Sequence, residues 1–201
     1  MAHNPGEAAE LGAHALALLN TGRPGGAART RSGTDPQGTP SETLTWLGER
    51  GLLAGVVSAG EVSPAEARIV HTEAQRLRTD IGRALEAYGV GRRVPAPALY
   101  GINRVLEAGS SSRRLEAGPG GLELVEQEGG SGPLAVLAPV ALSAARLMTT
   151  ADPSRVRRCA SAECGAWFVD TSKGGKRKWC SMARCGNRAK AATHRSRRSK
   201  V

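Results

Sequence analysis

The chain has 201 residues, with 28 Lys and Arg against 18 Asp and Glu, for a formal net charge of +10. That length suits one ordinary domain with a small appendage, and no apolar run reaches the ~18 residues that would indicate a membrane-spanning helix. The charge is segregated: residues 151–201 hold 14 basic against 3 acidic residues, a net of +11, whereas residues 1–150 hold 14 against 15, a net of −1. A face that is charged only for solubility mixes the two signs, so two parts with different roles are expected, 1–150 and 151–201. The start, Met1 to Glu7, has no positive region, and the apolar stretch after it is interrupted by His14. It does not read as a signal peptide, and a cytoplasmic protein with reduced thiols is expected.

Residues 1–150 predict a helical bundle with one small β element. Glu7 to Asn20 reads as one Ala- and Leu-rich helix with Leu11, Ala15, Leu18 and Leu19 on one face. The segment Gly22 to Pro40 has five glycines, three prolines and no aliphatic residue larger than Ala, and predicts an irregular connection. Ser41 to Gly51 is a short helix carrying Leu44, Trp46 and Leu47. Ser63-Pro64-Ala65-Glu66 is a capping box with proline at the first helical position. The helix it opens repeats Val70, Ala74, Leu77, Ile81, Ala84, Leu85 and Tyr88 before Gly89. Leu99 to Ala108, closed by Gly109, is another helix. Arg113 to Ala117 and Leu122 to Gln127 flank Gly118-Pro119-Gly120-Gly121 as a hairpin with Leu115, Leu122 and Leu124 inward. Pro133 to Thr149 is a last apolar helix, and Asp152-Pro153 marks the boundary.

Beyond it lie all four cysteines, Cys159, Cys164, Cys180 and Cys185, as two C-x4-C pairs. In a module of roughly 45 residues, near the size at which staples are needed, this pattern in a reducing compartment points to structural zinc rather than disulfides. Val156 to Cys159 and Ala166 to Asp170 suit two short strands, with Cys159 and Cys164 on the turn between them. Ser181 is placed to cap a helix running toward Arg198, with Cys180 just before it and Cys185 in its first turn. A knuckle followed by a helix start is a treble-clef layout. Trp167, Phe168 and Trp179 are three of the six aromatics in the chain, and they suit a dry shell around the thiolates or, alternatively, platforms for stacked bases. His194 is a spare ligand that four cysteines make unnecessary. Arg184, Arg188 and Arg195 would share a face of a continuous helix, widened by Lys190, Arg197 and Arg198. Arg188 and Asn187 are candidate base readers, since arginine matches guanine and asparagine matches adenine. A local backbone hydrogen bond is the plainer role for Asn187. Gly186 would let the helix approach the knuckle closely.

The string Cys185-Gly186-Asn187-Arg188 after Trp179-Cys180-Ser181-Met182, with Phe168 to Ser172 upstream, resembles the CGNR zinc finger. In that family the finger follows an α-helical domain, ABATE, opening with an L-A-L-D-F-V-N-T-like string. Leu16-Ala17-Leu18-Leu19-Asn20-Thr21 resembles it without the acidic and aromatic members. The resemblance implies a stress-induced transcription regulator that binds zinc and DNA; in a regulator, residues 1–150 would bind a small effector or pair two chains, and an apolar bundle suits either. RNA is the alternative partner, because phosphate contacts look alike on both polymers. No enzyme is expected: His71-Thr72-Glu73 supplies half of a zinc-deaminase signature, but the P-C-x-x-C half is absent.

Overall fold

A computed structural model describes residues 4–22, 35–53, 62–110, 112–118, 121–127, 130 and 132–198, with backbone alone for 112–118, 121–127 and 193–198. Seven helices are described: α1 (Pro5–Leu11), α2 (Ala13–Leu19), α3 (Pro40–Gly48), α4 (Pro64–Tyr88), α5 (Ala96–Ala108), α6 (Ala138–Thr150) and α7 (Asn187–Arg198). Two antiparallel two-stranded sheets accompany them, β1 (Ser112–Gly118) with β2 (Gly121–Gln127), and β3 (Val156–Arg158) with β4 (Trp167–Val169). The fold is mainly α, a helical bundle followed by a treble-clef-like module.

The bundle is organised on α4 and α6. The capping box of α4 forms as its sequence requires: Ser63 Oγ accepts from the Glu66 N–H at 3.2 Å, and the Glu66 carboxylate accepts from the Ser63 N–H at 2.9 Å. The helix buries Val70, Ala74, Leu77, Ile81, Ala84 and Leu85 along one stripe and ends at Gly89. Against it pack α2, α3, α5 and α6, so that Leu18, Trp46, Leu47, Ile102, Val105, Val140 and Leu147 complete one core.

Several boundaries differ from the sequence reading; the short helix expected to Gly51, for one, ends at Gly48. The first helix is broken at Gly12, because Ser143 of α6 inserts into its hydrogen-bond ladder. Ser143 Oγ accepts from the Ala15 N–H at 3.2 Å and donates to the Leu11 carbonyl at 2.7 Å, replacing the direct bond between those groups. The kinked residue also lies where α6 comes close, and a Cβ there would sit 2.9 Å from a Leu147 methyl. Helix α5 starts three residues earlier, at Ala96, because Pro95 takes the N-cap position and Pro97 falls in the first turn, where its missing N–H costs nothing. The final apolar run opens as a 3₁₀ turn, Ala135–Leu137, and becomes α-helical from Ala138, with Pro139 in the first turn. The hairpin register pairs Leu115 with Leu124 and Ala117 with Leu122. The inward orientation expected for its leucines, and most of the Gly22 to Pro40 connection, lie outside the described residues.

The junction between the two parts is a shared wall. Strand β4 packs on α1 and α2, and its alternation sends Trp167 and Val169, with Val156 of β3, into the helical core. Phe168, between them, faces the cysteines. Asn20, at the end of α2, makes a two-bond clamp on this strand: its Oδ1 accepts from the Trp167 N–H at 2.7 Å and its Nδ2 donates to the Trp167 carbonyl at 2.9 Å. Arg78 of α4 fixes that turn by donating to the carbonyls of Leu18, Leu19 and Thr21 at 3.1–3.4 Å. Tyr88 of α4 donates its hydroxyl to the Ala151 carbonyl. Burial of each such apolar side chain is worth about 1.5–3 kcal/mol. A fragment ending at residue 150 is therefore expected to keep helical circular dichroism yet melt well below the full chain. Equal melting temperatures would show that the strand adds nothing to the core.

Candidate metal centre and nucleic-acid surface

The knuckle is made by backbone. The Cys159 N–H donates to the Ala166 carbonyl at 2.8 Å, and the N–H groups of Cys164 and Gly165 donate to Ser161 at 2.9 and 3.2 Å, closing a turn that turns both thiols the same way. The second pair is brought in by a π-helical turn, Met182–Gly186, ahead of α7. The N–H groups of Cys185 and Gly186 both donate to the Ser181 carbonyl, at 3.0 and 3.1 Å. Ser181 occupies the N-cap position, but its side chain makes no capping bond. At Gly186 a Cβ would lie 2.6 Å from Met182 Sδ and 3.3 Å from the Trp179 ring, so the residues it makes room for are Met182 and Trp179 beside it and not the Cys159–Cys164 knuckle.

All four Sγ atoms lie within 4.8 Å of one another. Cys164 and Cys180 are 3.7 Å apart, and Cys180 and Cys185 are 3.8 Å apart. A tetrahedron with zinc–sulfur bonds of about 2.3 Å has edges of about 3.8 Å, whereas a disulfide would need about 2.05 Å. The donor set thus fits zinc and leaves no position open for catalysis. Burial pushes the Cys180 and Cys185 thiols up; the neighbouring sulfurs push Cys180 further, and at Cys185 those of Cys164 and Cys159 do so while that of Cys180 works the other way. At Cys159 burial also opposes ionisation, but hydrogen bonds from the Cys180 and Ser161 backbone, together with those from the Cys185 and Cys180 thiols, outweigh it and hold the thiol low. Four sulfurs this close ionise together only around a cation. Phe168, Ala166 and Trp179 form the apolar shell. Of the three aromatics read as that shell, Trp167 belongs instead to the helical core.

The cations are divided in a way the sequence did not show. Arg155 donates to the carbonyls of Asp170 and Ser172, both at 2.9 Å. Arg157 donates to Ser154 and Arg177, and Arg177 to Cys180. Arg158 pairs with Glu86 of α4 at 3.3 Å. These arginines hold the module together. Asp170 is buried and accepts from Ser172 N, Ser172 Oγ and Arg177 N at 2.6–3.0 Å. Its burial opposes ionisation, yet those bonds and Arg157 keep it below the ordinary carboxylate range.

Arg184, Asn187, Arg188 and Lys190 are exposed. Asn187 donates to the Ala183 carbonyl at 3.3 Å, the plainer role foreseen for it. Arg188 reaches Glu163 on the knuckle at 2.5 Å. Arg184 sits inside the π turn, which carries an extra residue, so the face it would share with Arg188 on a continuous α-helix does not carry across. Arg195, Arg197 and Arg198 lie on α7, as does His194, but their side chains are outside the described residues. His71 contacts Thr43 Oγ1 at 2.7 Å and Gln75 at 2.9 Å, and Glu73 pairs with Arg76 and Arg104. The H-x-E string thus serves helix packing. A groove of about 500 Å³ between α4 and α5 is lined in part by Arg76, Asp80, Arg83, Tyr100 and Arg104.

No helix among the described residues is long and apolar enough to cross a membrane. Residues 12–151 match the family model ABATE, described as "Putative stress-induced transcription regulator". Residues 155–198 match the CGNR zinc finger. No curated protein matches the chain.

Proposed function

The chain belongs to the ABATE family and carries a CGNR zinc finger, and on that premise we propose that it is a cytoplasmic, non-enzymatic transcription regulator whose finger binds duplex DNA. The observation that carries this reading is the root of α7. Two cysteine ligands lie at and just before the turn that starts this helix, so zinc would fix the direction of a segment bearing Arg184, Arg188, Lys190, Arg195, Arg197 and Arg198. Phosphate contacts would come from Arg184, Lys190, Arg195, Arg197 and Arg198, and base contacts from Arg188 once it leaves Glu163, with Asn187 beside it. The helical part is proposed to sense a small effector, with the groove between α4 and α5 as its place, or to pair two chains.

Titration against duplex DNA over a range of salt tests this. About five phosphate contacts from the π turn and α7 together contribute about −4.5 to the slope of log affinity against log salt. Lys190→Ala is expected to weaken all sequences alike and to remove about one from the slope. Arg188→Ala is expected to cost about 1–3 kcal/mol on a preferred site and to flatten sequence preference. Glu163→Gln, which releases Arg188, should tighten binding. Tight binding to structured RNA with none to duplex DNA would move the assignment to RNA, and an Arg188→Ala effect like that of Lys190→Ala would make Arg188 a backbone contact.

A further inference from the structure

We propose that the loop from Asp170 to Lys178 is a second phosphate-binding edge of the finger, built to grip the sugar-phosphate backbone of nucleic acid without reading sequence; this rests on the nucleic-acid reading above. The loop is rigid. The Asp170 carboxylate gathers Ser172 N, Ser172 Oγ and Arg177 N from inside it, and Arg155, in the short 3₁₀ turn just before β3, holds the Asp170 and Ser172 carbonyls. The Ala160 N–H donates to the Lys178 carbonyl at 2.8 Å, tying the loop end to the knuckle. The guanidinium of Arg177 turns back over the Phe168 ring, 5.4 Å from its centre, and onto the Cys180 carbonyl.

What this frame presents outward is lysine. Lys173, Lys176 and Lys178 are exposed, and none has an acidic partner among the described residues. The arginines around them are used on carbonyls or carboxylates of the chain itself. Between Asp170 and Val201 there is no Asp or Glu, so within this stretch no negative charge is interleaved with these lysines. A solvated surface mixes signs; a surface that meets a polyanion does not. The choice of side chain narrows the partner. Lysine is a compact ammonium with no fixed fork for a base edge, suited to phosphate as a point charge. The loop should therefore add affinity and salt dependence uniformly over sequences, while any reading of bases stays with α7.

The test uses the full-length, zinc-loaded protein, and measures anisotropy of labelled duplexes of two unrelated sequences across a potassium chloride series. Lys173→Ala/Lys176→Ala/Lys178→Ala is expected to make the slope shallower by about 2.7, at roughly 0.9 for each phosphate no longer neutralised, equally on both sequences. Zinc content and melting temperature should be unchanged. The triple Lys→Arg variant should restore the slope, and Lys176→Gln alone should remove about 0.9. A slope unmoved by the alanine triple, with binding otherwise intact, overturns the loop proposal and leaves the α7 reading standing. Failure of the unaltered protein to bind any duplex or structured RNA in a salt-dependent way overturns both.

Discussion

Cys185→Ser is expected to leave the chain without stoichiometric zinc and the finger without hydrogen-exchange protection. The residue is buried, 1% exposed, within the π turn, and a serine hydroxyl there does not replace a soft thiolate. Zinc contributes an apparent ~10–16 kcal/mol in modules of this kind, as much as the whole stability of an ordinary domain, about 5–15 kcal/mol. Metal analysis should find one zinc per unaltered chain. Cys159→Ser should behave likewise, and so should a chelator. The consequence is expected to extend beyond the finger, because Phe168 faces the metal shell while Trp167 and Val169 on the same strand complete the helical core. Helical circular dichroism should persist with a lowered melting temperature. One zinc per chain in Cys185→Ser, or thiols blocked as disulfides in reduced protein, would overturn the assignment.

Acid should remove the metal as well, since the ligands must stay deprotonated. Asp170 adds a second acid-labile contribution. Its folded value is depressed, so its stabilisation is full above the ordinary carboxylate range and fades as pH falls through the lowered value.

Asn20→Ala is expected to lower stability by about 2–6 kcal/mol. The residue is 8% exposed and both its side-chain hydrogen bonds go to the backbone of Trp167, itself 6% exposed. Truncation leaves a buried N–H and a buried carbonyl without partners, each costing about 1–3 kcal/mol. For a chain of this size the melting temperature should fall on the order of 10 °C. Asn20→Asp is expected to do no better. A carboxylate still accepts from the Trp167 N–H, but it cannot donate to the Trp167 carbonyl and sets a charge against it. Zinc content should be retained in both variants, which separates loss of the clamp from loss of the metal. A melting temperature unchanged by Asn20→Ala would show that solvent satisfies the strand.

The elements governed by local rules were legible in the amino-acid sequence alone. Ser63, Pro64 and Glu66 specify the start of α4, its 3.6-residue stripe specifies the buried face, and two C-x4-C pairs specify a zinc-sized cluster, because caps, periodicity and ligand spacing act over a few residues. Asn20 and Thr21 were visible only as part of a resembling string. That Asn20 clamps Trp167, 147 positions away, follows from packing α2 on β4. Likewise the basic count of the finger is a sequence property, while the division between arginines tied to carbonyls and lysines turned outward is not. The break at Gly12 and the π turn before α7 belong to the same class. The first arises where Ser143 of a neighbouring helix offers the backbone another partner, and the second where the turn carrying Cys185 sits at the sulfur cluster. Such contacts link residues far apart in the chain, and only the folded arrangement decides which of them meet.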